Sequence, residues 1–480
     1  MRLEYDHSIH SHVLNRHAVL PSPVRVHSHP GYSGQSVTIA MIDSGFSAHP
    51  DLVLPRNRVL AYEDLSGDGV PLDAPVEWWH WHGTMTAVVA AGSGHLSDGI
   101  YRGVSPEVNL VLLKVSQGGR IREELVRKAL DWLVENRDRY GIRIVNLSLG
   151  TGGEHADLSY KTDAVDLAAE RAVASGIVVV AAAGNDPVKP TPPANAPSVI
   201  AVGGIQDDDQ TQNPADFNLY HSSFGITADG VHKPEVVAPA VRVAGPILPG
   251  TPQWDQAEAL TILANDPPEL DRLQTLFRQA GLPDDWLPSD KKVTGSVERL
   301  VAENQVVGRH FKAVEGTSFA APMTAAIIAQ MLEANPKLTP AVVKNILLGT
   351  ADRLAGAEVY RQGFGMVNGH RAVEHALHEA HHHTSVTSYR APSVHRGKLI
   401  FFLHDDEARS VALAGDFNGW EASPLEKVGE SLWKLEMKSP APGRYAYKFR
   451  IDGSRWVNDP SHGVKEADPY GGLNSVLVLV

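Results

Sequence analysis

The chain has 480 residues, 43% hydrophobic and 21% charged, the composition of a globular protein. Its 43 Lys and Arg against 56 Asp and Glu leave a net charge of −13, which argues against nucleic acid or an anionic membrane as the main partner. With no cysteine at all, disulfides, thiolate metal sites and cysteine nucleophiles are excluded. The length exceeds one ordinary core, so two or three domains are expected.

The start, "MRLEYDHSIHSHVLNRH", has no apolar stretch of the signal-peptide kind, and no apolar run approaches a membrane span. A full-length chain of this kind is expected in the cytoplasm; one from which a signal had been removed would be secreted. Next come short apolar runs: "VTIAMID", "NLVLLKV", "IRIVNLSL" and "IVVVAAAGN". Continuous Val/Ile/Leu runs mark strands buried on both faces. Between them, "IREELVRKALDWLVENRDRYG" and "AVDLAAERAVASG" have helical periodicity and stop at Gly141 and Gly176. Alternation of this type predicts βαβ units and a parallel sheet covered by helices.

Residues 246–310 break the pattern with Pro, Gly, Trp254, Trp286 and the helical stretch "PELDRLQTLFRQAG". They read as a small, acidic helical insertion. Helix-like segments resume through "AAPMTAAIIAQMLEANP", "TPAVVKNILLGTA" and "RAVEHALHEA". Residues 381–396 are polar and aperiodic, a linker. From residue 397 to residue 480, "KLIFFLHD", "SVALAGDFN", "LWKLEM", "RYAYKFRID" and "NSVLVLV" predict a separate antiparallel β-sandwich.

In open parallel sheets, active sites form beyond the C-terminal strand ends. Asp43 closes "VTIAMID" and Asn185 closes "IVVVAAAGN". Ser318 opens a small-residue helix in "EGTSFAAPMTAAIIAQ", and His82 opens another in "HGTMTAVVAAG". An activated serine needs a base, the base needs an orienting acid, and the developing oxyanion needs donors. These four positions supply one residue for each role. His82 has a neighbour, His80, in "EWWHWHGTMTAVVAAG". In an extended segment the two would share a face and could bind metal.

"MIDSG", "HGTMTA" and "GTSFAAP", in that order, resemble the signature segments of the subtilisin-like serine proteases. "RGVSPEVNLVLLKV", "IVNLSLG", "PSVIAVGG", "KPEVVAP" and "GFGMVNGHRAV" extend the likeness over residues 36–380, apart from the insertion. It implies an α/β, subtilisin-like three-layer fold with a mostly parallel sheet. It implies Asp43 as orienting acid, His82 as general base, Ser318 as nucleophile and Asn185 as oxyanion donor. Ser148, Leu149 and Gly150 match the strand that pairs with a substrate backbone, and "KPTPPANAPSV" matches a specificity-pocket wall without central charge. His80 has no matching role, so the metal-pair reading falls. The implied partner is a protein or peptide. No cofactor is required for the chemistry, while Asp51 matches a structural calcium ligand of some members. Trp81 and Ala240 stand where the family commonly has glycine, and Trp81 is expected to narrow the cleft. Only 42 residues precede Asp43, so the prodomain usual in the family is not expected in this sequence. The insertion, which re-enters at Gly316, is expected to cover part of the cleft instead.

"VALAGDFNGW", "GRYAYKFRIDGSRWVNDP" and "LNSVLVLV" resemble the glycogen-binding, family-48 type carbohydrate-binding module, an immunoglobulin-like early-set sandwich. The resemblance implies an α-glucan partner held by Trp420, Lys448, Trp456 and Asn474, with Tyr470 at an apolar contact. The competing readings are a packing domain, a glycan-associated binding protein, or an esterase-like hydrolase on the same triad. The remaining histidines ("HSIHSH", His375, His378 and His381–His383) are expected to be solvated surface residues.

Overall fold

The computed structural model describes residues 17–207, 217–265, 270–283, 286, 291–379, 392–395, 397–405, 407–429, 431–460, 462, 464–470 and 472–479. "HSIHSH", His381–His383 and most of the expected linker lie outside these residues. The chain divides into two compact units, Met1–Ala380 and His381–Val480.

The first unit is organised by a sheet whose main strands are β1 (Thr38–Asp43), β2 (Val59–Asp64), β3 (Asn109–Lys114), β6 (Ile142–Leu147), β7 (Val178–Ala182), β8 (Ile200–Gln206) and β9 (Val236–Pro239). A short hairpin, β4 (Ser116–Gln117) and β5 (Arg120–Ile121), follows β3. The sheet order is β9-β8-β7-β6-β1-β3-β2, and every neighbouring pair along it is parallel. All the strands therefore end on the same edge. Side chains alternate across β1: Ile39 and Met41 enter one core, Ala40 and Ile42 the other. This two-sided burial is why these strands read as unbroken apolar runs.

One face is covered by α2 (Glu123–Tyr140) and α3 (Ala164–Ala174). Gly141 terminates α2 in the left-handed region, φ 62°, where glycine has no Cβ penalty. Asp163 caps α3 by accepting from Val165 and Asp166 amides at 2.8 and 2.9 Å. The other face holds α1 (His80–Ala91), α7 (Thr317–Ala334), α8 (Pro340–Thr350) and α9 (Gly369–Glu379). Helices α1 and α7 are buried nearly all round, so their small residues serve close packing rather than amphipathicity.

The insertion contributes α4 (Pro252–Asn265), α5 (Leu270–Ala280) and α6 (Lys291–Glu303), which share a separate apolar core including Leu260, Phe277 and Val297. It is carried on an antiparallel sheet in which Phe311–Val314 lies between Val243–Pro246 and Val306–Gly308. That stalk packs on the side of α1: Gly245 faces the Met85 thioether, and the Tyr101 hydroxyl donates to the Val307 carbonyl at 3.2 Å. Among the described residues, no hydrogen bond, ion pair or ring contact joins the insertion helices to His82, Ser318 or Asn185, so the expected cover over the cleft gains no support.

The second unit contains two antiparallel sheets. Lys398–His404 pairs with Leu432–Lys438 in one. Val411–Gly415, Gly443–Ile451 and Leu473–Leu479 form the spine of the other. Phe401, Leu413, Tyr447, Phe449 and Leu477 fill the core between them, the arrangement of a sandwich.

Candidate active site

Adjacent strands β7, β6 and β1 end side by side, and each delivers one polar element to the same edge. From β1 comes Asp43, 1% exposed. Its Oδ1 accepts from the Ser44 amide at 2.6 Å and meets His82 Nδ1 at 2.7 Å. Thr86 reaches Oδ2 at 3.4 Å. His82 sits in the first turn of α1, brought close by Gly83: a Cβ there would lie 2.3 Å from the Gly45 carbonyl oxygen and 2.9 Å from Asp43 Cβ. Burial opposes charging of His82, but the Asp43 charge and hydrogen bond outweigh it and raise its pKa above the ordinary histidine value. Nε2 is left on the far side of the ring.

Ser318 lies one residue inside α7, behind Gly316 at φ 129°, a conformation that side-chain-bearing residues rarely adopt. A Cβ on Gly316 would crowd Asn185 Nδ2 at 3.3 Å. Asn185, from the turn after β7, accepts the Thr317 amide and hydroxyl on Oδ1 at 2.8 and 2.9 Å. This fixes the amide with Nδ2 as its remaining donor. The Ser318 hydroxyl donates to the Ser148 carbonyl at 3.3 Å, and no hydrogen bond joins it to His82.

Pro322 lies inside α7. It has no N–H, so the carbonyl four residues back, that of Ser318, loses its helical donor. Ser148 Oγ replaces it at 2.7 Å, with Asn146 Nδ2 donating to that hydroxyl at 3.0 Å. Ser148 thus ties the nucleophile turn to the strand after β6, a role its place in "SLG" did not reveal. Sequence reasoning also missed His221, whose Nδ1 holds the Asn185 carbonyl at 2.5 Å. No local pattern marks it, because the contact comes from a distant loop. Gly316 donates its amide to Ala240 at 2.8 Å, so the alanine at that departure is part of the same frame. Gly150 abuts the "KPTPPANAPSV" segment: a Cβ on it would lie 2.6 Å from Thr191 Oγ1.

His80 is separated from His82 by the helix itself. Its ring is buried, Nδ1 accepts from the Glu77 amide at 3.0 Å, and Nε2 has no hydrogen-bond partner among the described residues. Burial lowers its pKa. It is a core histidine, which agrees with the loss of the metal-pair reading.

Asp51 is fully buried. Its Oδ1 accepts the Leu96 amide at 2.9 Å, and its Oδ2 has no hydrogen-bond partner among the described residues. The 94–99 loop thus turns an N–H toward the carboxylate. Arg58, also buried, donates to the Asp51 and Ala91 carbonyls. Burial raises the Asp51 carboxyl above the usual range although His95 and Arg58 pull it down. A calcium ion needs six to eight oxygens. One free carboxylate oxygen beside an internal guanidinium does not fit that ion.

His375 and His378 are exposed on α9. His29, His370 and Glu374 do cluster, with His29 Nε2 3.0 Å from Glu374 Oε1 and the two imidazoles stacked at 4.7 Å. The Gly31 amide donates to His29 Nδ1 at 3.0 Å, so a neutral His29 carries its proton on Nε2 and gives it to Glu374. That is a satisfied hydrogen-bonded pair.

In the second unit, Trp420, Lys448, Trp456 and Asn474 line one pocket of about 690 Å³ together with Asp416, Asp468 and Tyr470. Trp420 and Trp456 are 39% and 44% exposed, and Tyr470 is 95% exposed. Trp420 Nε1 donates to Asp416 at 2.9 Å, which holds the indole in place. Lys448 is ion-paired with Asp468 inside the pocket, a partner the sequence did not suggest.

Residues 34–365 match the subtilase family and residues 388–471 match carbohydrate-binding module 48, the isoamylase N-terminal domain. The chain belongs to the subtilase family. It is a subtilisin-like peptidase unit joined to a module of the carbohydrate-binding 48 type. It is 29% identical to serine protease AprX of Bacillus subtilis (strain 168) over 349 residues, covering 71% of this chain and 67% of AprX. It is 31% identical to subtilisin E of the same organism over 208 residues, covering 42% of this chain and 48% of that protein. The crystal structure of fervidolysin from Fervidobacterium pennivorans, a keratinolytic enzyme related to subtilisin, aligns with a TM-score of 0.50 at 18% identity. That alignment covers 93% of this chain and 55% of fervidolysin, and it concerns the fold alone.

Proposed function

We propose that the chain is a serine endopeptidase acting through Asp43, His82 and Ser318, with its C-terminal module holding it to α-glucan. The observation that carries the first part is the 2.7 Å Asp43–His82 bond on the strand edge where Ser318 and Asn185 also meet. Asp43 fixes the imidazole with its proton on Nδ1 and Nε2 free. A peptide laid along Ser148–Gly150 adds a strand to that edge, and its N–H competes for the Ser148 carbonyl. The Ser318 hydroxyl is released from that carbonyl and turns to His82 Nε2. Catalytic hydrogen bonds commonly tighten only once substrate is bound.

Ser318 Oγ then attacks the scissile carbonyl while His82 takes its proton. The charge formed on the carbonyl oxygen is met by Asn185 Nδ2 and by the Ser318 N–H, which points out of the N-terminal turn of α7. His82 returns the proton to the leaving amine. Water, deprotonated by His82, releases the acyl group. The test is cleavage of a peptide library by the wild type and by Ser318→Ala; a Ser318→Ala protein that cleaves as the wild type does removes the proposal.

The second part rests on the two indoles that line the pocket. Flat aromatic faces suit the C–H surfaces of glucose rings, and Asn474 beside them offers a polar contact. Retention on glycogen that is lost in Trp420→Ala, and kept in Ser318→Ala, is the expected result.

A further inference from the structure

We infer that Trp78 and Trp81 form a wall of the substrate groove and select a large apolar side chain next to the scissile bond; this rests on the peptidase reading above. The segment "EWWHWHG" places four aromatic rings and the base in one turn, and the structure sorts them. Trp79 and His80 turn inward. Trp78 and Trp81 remain 64% and 42% exposed, although the rest of α1 beyond His82 is buried. Large indole faces left in water beside a reactive centre mark a place where an apolar group docks.

The sheet order locates them. Strand β1 lies between β6 and β3, so the Ser148–Gly150 strand extends from one side of His82 and the β4–β5 hairpin from the other. A peptide paired with Ser148–Gly150 therefore runs between two banks. Trp78 is seated on the second bank: a Cβ added to Gly119 would fall 2.4 Å from its ring. Trp81 stands at the base itself, edge-on to the His82 ring at 5.2 Å and 90°. The seating is firm. Trp78 meets Trp79 edge-on at 5.6 Å, the Trp79 carbonyl accepts from Ser44 Oγ at 2.9 Å, and His80 Nδ1 holds the Glu77 amide. Side chains of an extended peptide alternate in direction. Every second one faces away from the Thr191 wall beside Gly150 and toward the tryptophans. The occupant this surface fits is an aromatic or branched aliphatic side chain, which an indole face binds and water does not.

The experiment is cleavage-site profiling on a peptide library with the wild type, Trp78→Ala, Trp81→Ala and Gly119→Ala, with Ser318→Ala as control. The wild type is expected to prefer large apolar residues at one subsite on the His82 side. Trp78→Ala and Trp81→Ala should lower the kcat/KM ratio for Phe or Leu over Ala at that subsite by about tenfold or more, chiefly through KM. Gly119→Ala keeps both tryptophans but displaces Trp78, and should change the same subsite. Ser318-dependent cleavage with the same profile in all three variants overturns the subsite alone. Absence of any Ser318-dependent cleavage overturns the peptidase reading and the subsite with it.

Discussion

The strand-edge cleft of the first unit and the tryptophan-lined pocket of the second are built in different ways. In the cleft, each polar side chain is anchored by a hydrogen bond before any ligand arrives: Asp43 with His82 and Ser44, Asn185 with Thr317 and His221, Ser148 with Ser318. The chemistry proposed there depends on preorganised dipoles, and each lost bond would misaim an atom. In the pocket, Trp420, Trp456 and Tyr470 leave ring surface exposed to water, with the Arg450 guanidinium over the Trp456 ring at 5.5 Å. The glycan binding proposed there would depend on area, which degrades gradually as rings are removed. The inferred Trp78–Trp81 wall would bring the second principle into the first site.

That contrast can be broken most forcefully at Ser318. Ser318→Ala should lower kcat by at least about 10⁴-fold, read with a chromogenic peptide, while retention on glycogen stays as in the wild type. Asn185→Ala should cost about 10²–10³ in kcat with little change in KM; a loss confined to KM would mean that Asn185 binds substrate and does not serve the oxyanion. In the pocket, Trp420→Ala removes one ring worth about 1.5–3 kcal/mol of burial. Glycogen affinity should fall roughly ten- to hundredfold, measured by affinity electrophoresis, with peptide cleavage unaltered.

The pH dependence sharpens the same comparison on a smaller scale. His82 must be neutral to act as base, and Asp43 raises its pKa. Activity should therefore rise with pH through an acid limb lying above the ordinary histidine value of about 6.5. Asp43→Asn should move that limb down and lower kcat. Stability runs the other way. The Asp43–His82 pair contributes fully below the unfolded histidine pKa, and the contribution is lost as pH rises through the raised value. Glycogen retention should cross this range unchanged. The smallest expected effect is that of chelation. Because Arg58 already serves the carbonyls around Asp51, EDTA should leave Tm where it was; a clear fall in Tm that calcium restores would contradict this.

The comparison also explains what was legible in the sequence. Asp43, His82, Ser318 and Asn185 stood out because strand ends and close-packed helices demand particular small residues around them. Gly83 is fixed by the Gly45 carbonyl oxygen, 2.3 Å from where a Cβ would lie, and Gly316 by its φ of 129°. The strands of the sheet were legible for a similar reason, since burial on both faces leaves only apolar residues. What stayed hidden depends on side chains meeting across the fold. The seat of Trp78 on Gly119, the hold of His221 on Asn185, and the pairing of Lys448 with Asp468 have no local signature. Nor did the pattern reveal Arg58 beside Asp51. The insertion was recognisable as helical from its periodicity, but its stalk against α1 was not, because short strand pairings depend on partners far along the chain.

The central claim is that Ser318 is activated by His82. It is tested most directly by treating the full chain with a serine-directed phosphonate and locating the adduct by peptide mass spectrometry. A single adduct is expected on the peptide carrying Ser318, absent in His82→Ala protein of unchanged fold. An adduct on another residue, or labelling of Ser318 that survives loss of His82, would contradict it.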